Sequence, residues 1–395
     1  MRILVFCDED LSIAAGGARQ VLEFAKALSL RTHTIRIVAP QPVHGHQLEW
    51  ECASVSFRPV PVWRAAGLRP FSFLIASWKI LREELAAWRP DVLLWFDSPG
   101  QIAPLLALSN HACASVLFVN GFPEEEVQGI WRLPFIRWAL RVALRTAARR
   151  TQAVVSVCHE IVTHMQDAWR IPADRCHVIR NGVDENRFYP QSHECARTAL
   201  GLPAKGLYIE FVGGFFPWHG LETLIEAVPL VRDKVPSASF WLVGDGQTRQ
   251  ALEQMVQREG LTNIVHFVGR ADWAKVPTWI AACDVCVVLH RQTRSYPGDS
   301  MKLWEYLSCG RPVVTTVGPG YGETVESIGC GHAAKPDDAQ DLARQLIRLL
   351  QDPDARIKMG DRGRMAVIQA HTWGARAQEL EHVCNTARAA MRRAA

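Results

Sequence analysis

No stretch of the 395-residue chain runs for the about 18 uninterrupted apolar residues that a bilayer-crossing helix needs, so no spanning helix is expected. Neither sign of charge is in large excess. The formal net charge is only +4, which gives no reason to expect a nucleic-acid partner. Cysteines are present but a pairing framework is not, since the 11 cysteines are odd in number and follow no repeating spacing. The chain opens as MRILVF followed by Asp8-Glu9-Asp10, which lacks the pattern of a secretory signal. Together these point to reduced thiols and a cytoplasmic protein. Cys283-Asp-Val-Cys286 is half of a metal-site spacing, but no second pair or matching histidines accompany it. Buried structural thiols are therefore expected there.

What is present is an ordinary globular composition, 48% hydrophobic and 21% charged. The length suits two domains of roughly 150–200 residues each. Ile3-Leu4-Val5-Phe6 reads as a short buried strand, RQVLEFAKALSLR as a helix, and Thr34 to Val38 as a second strand. Gly16-Gly17, just before that helix, lets a ligand approach the backbone closely; the bland alternative is a loop without a ligand. The spacing is not the full dinucleotide fingerprint. Further strands are expected at 91–96, 114–119 and 153–157, with helical segments around 71–88 and 100–109. Short apolar strands alternating with helices imply a parallel sheet covered on both faces, with ligands outside the carboxyl ends of its strands. The loop Asn120-Gly121-Phe122-Pro123-Glu124-Glu125-Glu126 is then a candidate, either to hold sugar hydroxyls or as a solvated acidic loop.

The segment 133–150 places Arg137, Arg141, Arg145 and Arg149 on one stripe of a helix. Two readings stay open: a core-packed helix with a solvated arginine face, or a helix lying on an anionic membrane surface. Asn181-Gly182 and the polar run to Pro190 look like a crossing between domains. A second alternating pattern begins after Gly201-Leu202-Pro203, with strands at 207–212, 239–243, 264–268 and 285–289. Ligand sites are expected between the two halves. The segment from Trp373 to Met391 reads as a helix without a strand of its own, packing back on the first domain. Within SYPGDSMKLWEYLSCGRPVV, residues 295–314, Asp299 and Ser300 are candidate caps of a helix whose unpaired N–H groups suit an anion. Glu305 places a hydroxyl acceptor one turn further on.

Laid out in this way, the chain resembles a glycosyltransferase of the GT-B fold, specifically the large retaining group called glycosyltransferases group 1, or family four. The resemblance covers nearly the whole chain. It is carried by the Gly-Gly loop, VIRNGVDENRFYP at 178–190, FVGGFFPWHGLETLIEA at 211–227, WLVGDG at 241–246, FVGR at 267–270, KLWEYLSCGRPVV at 302–314 and HTWGARAQELE at 371–381. It implies two Rossmann-like α/β domains: 1–183, with 372–395 returning to it, for the acceptor, and 184–371 for the donor. It also implies transfer of a hexose-type sugar from a nucleotide diphosphate sugar to a hydroxyl of a glycan or lipid-linked acceptor, with retention of configuration. Glu305 matches the second glutamate of the E-x7-E motif and is expected on the donor ribose. Ser300, Met301 and Lys302 are expected on the diphosphate, with Lys302 also serving catalysis. Gly213, Gly214, His219 and Arg270 are expected around the donor. Gly16 and Gly17 are expected near its diphosphate and the acceptor.

Three departures from the family pattern stand out. Pro297 occupies the place of the first glutamate, where Asp299 is either a substitute carboxylate for catalysis or only an N-cap. Gly214 stands where an arginine is common, and His219 where a lysine is usual, so one cation is missing and one is titratable. Asn120 takes the place of a frequent histidine and is the third catalytic candidate. No Asp-x-Asp cluster has the setting of a metal site, so chemistry without metal or cofactor is expected. A nucleotide-sugar epimerase or hydrolase on the same fold, and a non-catalytic sugar-nucleotide-binding partner, are the alternative functions.

Overall fold

The computed structural model describes residues 1–13, 16–42, 53–63, 69–96, 102–109, 111–121, 134–292 and 298–394. The acidic triplet 124–126 and Pro297 lie outside the described residues. The chain divides into two compact units, Met1–Asn181 with Trp373–Ala395, and Gly182–Thr372.

The first unit runs β1 (Arg2–Phe6), α1 (Gly16–Leu30), β2 (Thr34–Pro40), β3 (Val55–Val60), α2 (Arg69–Ala87), β4 (Val92–Phe96), α3 (Ala103–Leu108) and β5 (Ala114–Val119). It continues through α4 (Pro134–Arg150), β6 (Ala153–Ser156), α5 (His159–Asp167) and β7 (Cys176–Val178). Its strands form one sheet in the order β3-β2-β1-β4-β5-β6-β7. The pairings are parallel throughout, in register from Arg2 against Thr34 to Val154 against Cys176. Every residue of β4 and β5 is buried, as parallel strands with helices on both faces require. The order of strands reverses between β1 and β4, so their carboxyl ends open at the switch point of the sheet.

The second unit starts with α6 (His193–Leu200), β8 (Leu207–Val212), α7 (Leu221–Lys234), β9 (Ala238–Val243), α8 (Arg249–Arg258), β10 (Val265–Gly269), α9 (Val276–Ala282) and β11 (Val285–Val288). There follow α10 (Met301–Ser308), β12 (Val313–Thr316), α11 (Tyr321–Ile328), β13 (Gly331–Ala334), α12 (Ala339–Gln351) and α13 (Pro353–Ala370). The sheet order is β10-β9-β8-β11-β12-β13, again parallel, with its switch point between β8 and β11. Two apolar layers cover it. One joins Phe211, Phe240 and Val287 to Leu224, Val228 and Leu346, and the other joins Val212 and Val288 to Leu303, Trp304 and Leu307. Both units are thus the doubly wound α/β architecture that the alternation implies.

The last helix, α14 (Trp373–Ala394), belongs to the first unit. Leu380, Cys384 and Ala387 are buried, and the Trp373 ring packs edge-on at 5.1 Å against Phe24 of α1. Glu381 accepts a hydrogen bond from Arg31 at 2.6 Å, and Arg388 donates to Asp91 at 2.8 Å. Of the elements that periodicity did not indicate, α13 carried the clearest signal. Asp352 caps it by accepting from the Ala355 N–H at 2.8 Å, and Pro353 follows at its first position. β7 and β13 are short edge strands of three and four residues, too brief to register as alternation.

One core residue breaks the apolar rule. Glu210, in the middle of β8, is 1% exposed, and its Oε1 has no hydrogen-bond partner among the described residues. Burial pushes its carboxyl up to about 8 from about 4.5, offset only in part by the Cys283 thiol and the Arg311 charge. Between those two values the folded protein keeps the proton that the unfolded chain releases, so stability falls as pH rises and levels off above about 8. Glu210→Gln is expected to remove a slope of up to about 1.4 kcal/mol per pH unit. In thermal melts its advantage over the parent should be small at pH 5 and largest at pH 8; an equal difference at both would refute the assignment.

Candidate active site

Gly213 follows the last residue of β8 and is held to the neighbouring strand, where its N–H donates to the Val243 carbonyl at 2.9 Å. Its φ of +145° falls where side chains are strained, and a Cβ would come within 3.1 Å of both Cε and Nζ of Lys302. Gly244, at the end of β9, has φ +141°, and a Cβ there would run into the Gly213 carbonyl oxygen. Two backbones therefore pass one another where neither can carry a side chain. Lys302, in the first turn of α10, places its ammonium 4.6 Å from the centre of the Phe211 ring and 3.5 Å from Nε2 of His219. A ring face stabilises such a cation by about 0.5–2 kcal/mol. His219 Nδ1 lies 2.7 Å from the Gly214 carbonyl, so that nitrogen carries the proton and donates, and Nε2 is turned to Lys302.

Gly214, where the family pattern has an arginine, lies against the side chain of Phe216. A Cβ at this position would collide with the Phe216 ring, which stacks on Trp218 at 4.6 Å and 8°. His219 also meets both rings edge-on at 5.9 and 6.0 Å. The loop has thus exchanged a cation for an aromatic stack, and Trp218 remains 39% exposed.

The start of α10 corrects the expected cap. Ser300 is the N-cap residue and makes no side-chain capping bond, while Asp299 Oδ1 accepts from the Trp304 indole N–H at 3.3 Å. The indole lies one turn into the helix and also stacks on His371 at 3.7 Å, so it draws the carboxylate away from the cap position. Ser300 and Met301 are half-buried at the helix start, and Glu305 is buried within the helix. Arg364 of α13 donates to the Phe188 and Ser308 carbonyls at 2.9 and 3.0 Å and anchors the far end of α10. Tyr306 ties the helix to the strand, since its hydroxyl accepts from the Val212 N–H at 2.8 Å. Arg270 is exposed just after β10. Within the second unit, then, Gly213, Gly214, His219 and Lys302 form one cluster at the switch point. Asp299, Ser300, Met301 and Glu305 lie along α10, and Arg270 stands beyond β9 at the end of the outermost strand.

The remaining three candidates belong to the first unit. Gly16 and Gly17 open α1, and a Cβ at Gly17 would meet Oε1 of Glu9 at 2.7 Å. Burial and the neighbouring Asp8 charge raise the Glu9 carboxyl, with Arg69 opposing. The close approach that the glycine permits is thus filled by a carboxylate of the chain itself. Asn120 follows the last residue of β5 and exchanges hydrogen bonds with Gln20 of α1: its Nδ2 donates to Gln20 Oε1 at 2.7 Å, and its Oδ1 accepts from Nε2 at 3.1 Å. Gln20, Phe211, Phe216 and Gly244 were not singled out in the sequence; only the glycine had a signal, in the Gly-Asp-Gly turn after a strand.

Residues 14–187 match the family model described as Glycosyltransferase Family 4, and residues 206–352 the one described as Glycosyl transferases group 1. The chain belongs to the group 1, family four glycosyltransferases. It is 24% identical over 391 residues to the GDP-mannose-dependent alpha-(1-6)-phosphatidylinositol monomannoside mannosyltransferase of Mycolicibacterium smegmatis, covering 95% of this chain and 97% of the relative. A GDP-mannose-dependent mannosyltransferase acting on a monoacylated form, from Corynebacterium glutamicum, is 25% identical over 301 residues, 73% of this chain and 75% of its own. In fold, this glycosyltransferase matches sucrose-phosphate synthase from Thermosynechococcus elongatus with a TM-score of 0.82 at 20% identity, covering 98% and 99% of the two chains. It also matches Anabaena HepE in complex with UDP, at 0.75 and 19% identity over 98% and 100%. These likenesses establish the GT-B fold.

If a diphosphate binds at Lys302, replacing the residue by Gln should cost about 1.5–3 kcal/mol, or about 10- to 100-fold in affinity. Calorimetric titration with GDP and with UDP should show that loss for whichever nucleotide binds, and a smaller one for Gly213→Ala, which crowds the ammonium. Unchanged affinity in Lys302→Gln would remove the residue from the donor site.

Proposed function

We propose that this glycosyltransferase moves a hexose from a nucleoside diphosphate sugar to a hydroxyl of a lipid-linked or glycan acceptor, with retention of configuration and without a metal ion. The observation that carries the reading is the Lys302 ammonium held against Phe211 and His219, beside the glycine loop at the switch point of the second sheet. Breaking the sugar–phosphate bond builds negative charge on the diphosphate, and catalysis consists largely of fixed charges and dipoles placed where it develops. Lys302 and the first N–H groups of α10 supply them, with His219 holding the ammonium in place. One helix end offers only about 0.3–2 kcal/mol to an anion, so the ammonium and the helix start share the task. Glu305 accepts from the donor ribose, while Asp299 and Asn120 act at the transferred sugar. Retention follows from attack on the leaving-group face, with no protein nucleophile.

GDP-mannose is the donor to try first, because the relatives that span nearly the whole chain are named for it. UDP-glucose is the control, since HepE was captured with it. In a thermal-shift screen the cognate donor should raise the melting temperature, as binding to the folded state does by mass action. Glu305→Ala should abolish most of the shift, and turnover should survive EDTA. A product of inverted anomeric configuration by proton NMR would sink the retaining mechanism.

A membrane-surface role for α4 belongs to the same proposal. No helix among the described residues is long and apolar enough to cross a bilayer. On α4, however, Phe135, Trp138 and Val142 are 68%, 64% and 44% exposed, whereas Arg137, Arg141 and Arg145 are half-buried. Arg149 of the same stripe is exposed, so the outward face carries aromatic and apolar side chains together with a cation. Such a face flanked by cations suits the headgroup region of an anionic leaflet. Flotation with phosphatidylglycerol liposomes should recover the protein, and phosphatidylcholine alone should not. Equal recovery would remove the membrane surface from the proposal.

A further inference from the structure

Gln20 lies on the buried face of α1 among Val21, Phe24 and Ala25 and is 3% exposed. A polar side chain in that position is costly unless its hydrogen bonds are complete. They are complete. Both hydrogens of its Nε2 are engaged, one by Asn120 Oδ1 at 3.1 Å and the other by Asn181 Oδ1 at 2.8 Å, and its Oε1 accepts from Asn120 Nδ2 at 2.7 Å. The partners come from the end of β5 and from the segment after β7, the carboxyl edge where sheets of this kind bind ligands.

We infer that Gln20 is a positioning residue for the glycosyl transfer, locking the Asn120 amide in one of its two orientations. The inference rests on the proposed action of Asn120 at the transferred sugar. Turning Asn120 over would set its NH2 against the NH2 of Gln20 and its oxygen against the other oxygen. Asn181 removes the matching freedom of Gln20 by taking the second Nε2 hydrogen. An amide held in this way retains one N–H and one oxygen lone pair outside the pair. It therefore offers a hydroxyl-bearing ligand a donor and an acceptor in fixed places, with no titration across the physiological range. An imidazole at 120 has only one nitrogen at each edge and cannot complete the reciprocal pair that Gln20 requires.

The test uses four variants of the full chain: Gln20→Met, Asn120→Ala, their combination, and the exchange Gln20→Asn/Asn120→Gln. The readouts are melting temperature, and kcat and KM for GDP released from GDP-mannose in the presence of acceptor lipid. Misplacing a group at a reacting centre costs about 10- to 100-fold in rate. Gln20→Met and Asn120→Ala should each lose that factor in kcat with KM nearly unchanged, and the combined variant should be no worse than either. The exchange, which rebuilds an amide pair, should recover part of the rate. A lowered melting temperature with kcat intact in Gln20→Met would show a structural role only and overturn the inference, while the reading of Asn120 would stand on its own loss. If Asn120→Ala itself keeps kcat, that reading fails and the inference with it. A further loss from Gln20→Met in the Asn120→Ala background would also overturn it, because Gln20 would then be acting by another route.

Discussion

The second unit depends on one close passage of main chain, where Gly244 passes the Gly213 carbonyl with no room for a Cβ of its own. Beside this passage the Lys302 side chain lies so close to Gly213 that a Cβ there would come within 3.1 Å of its ammonium. A lysine at the surface would lose rotamer freedom and gain little from a counter-ion in water. Here the Phe211 ring and the His219 nitrogen hold it before any ligand arrives, so less ordering remains for the moment of binding. The Phe216–Trp218 stack belongs to the same arrangement. It fills the space that a side chain at 214 would need and braces the imidazole through two edge contacts.

The helix that carries Lys302 is over-determined in a way its length would not suggest. Eight residues form little more than two turns, which have almost no stability alone. Tyr306 bonds the backbone of β8, Trp304 reaches back to Asp299 and stacks on His371, and Arg364 gathers the carbonyls at its far end. The side of the sheet that anchors α10 is also the side where Glu210 is buried with its proton. Near the start of the same strands the buried Asp284 is paired with Arg197 at 2.8 Å. The first unit solves its own edge differently, with a neutral amide pair at Asn120 and a carboxylate, Glu9, packed on the glycine that opens α1.

Much of this was legible in the residues. Ile3 to Phe6, Val92 to Phe96 and Val285 to Val288 are short apolar runs bounded by turn residues, and such runs are buried parallel strands when helices alternate with them. Gly16-Gly17 marked one loop of close approach, and the Gly-Gly and Gly-Asp-Gly loops of the second half entered through the family motifs. Of the two cap candidates, Ser300 takes the N-cap position, while Asp299 accepts from an indole five positions on, a bond that local rules do not indicate. The arginines of α4 are the other case, since their spacing of four indicates a common stripe and says nothing about which side of the helix meets the core.

The sequence by itself determined the alternation of elements, the family, and which loops lack side chains, because these depend on local spacing and backbone freedom. Only the tertiary structure decided that Lys302 meets a histidine 83 residues away and that Gln20 pairs with an asparagine 100 residues away. Periodicity tells which face of its own element a residue occupies. The partner on that face is contributed by whichever distant strand or helix the packing brings against it.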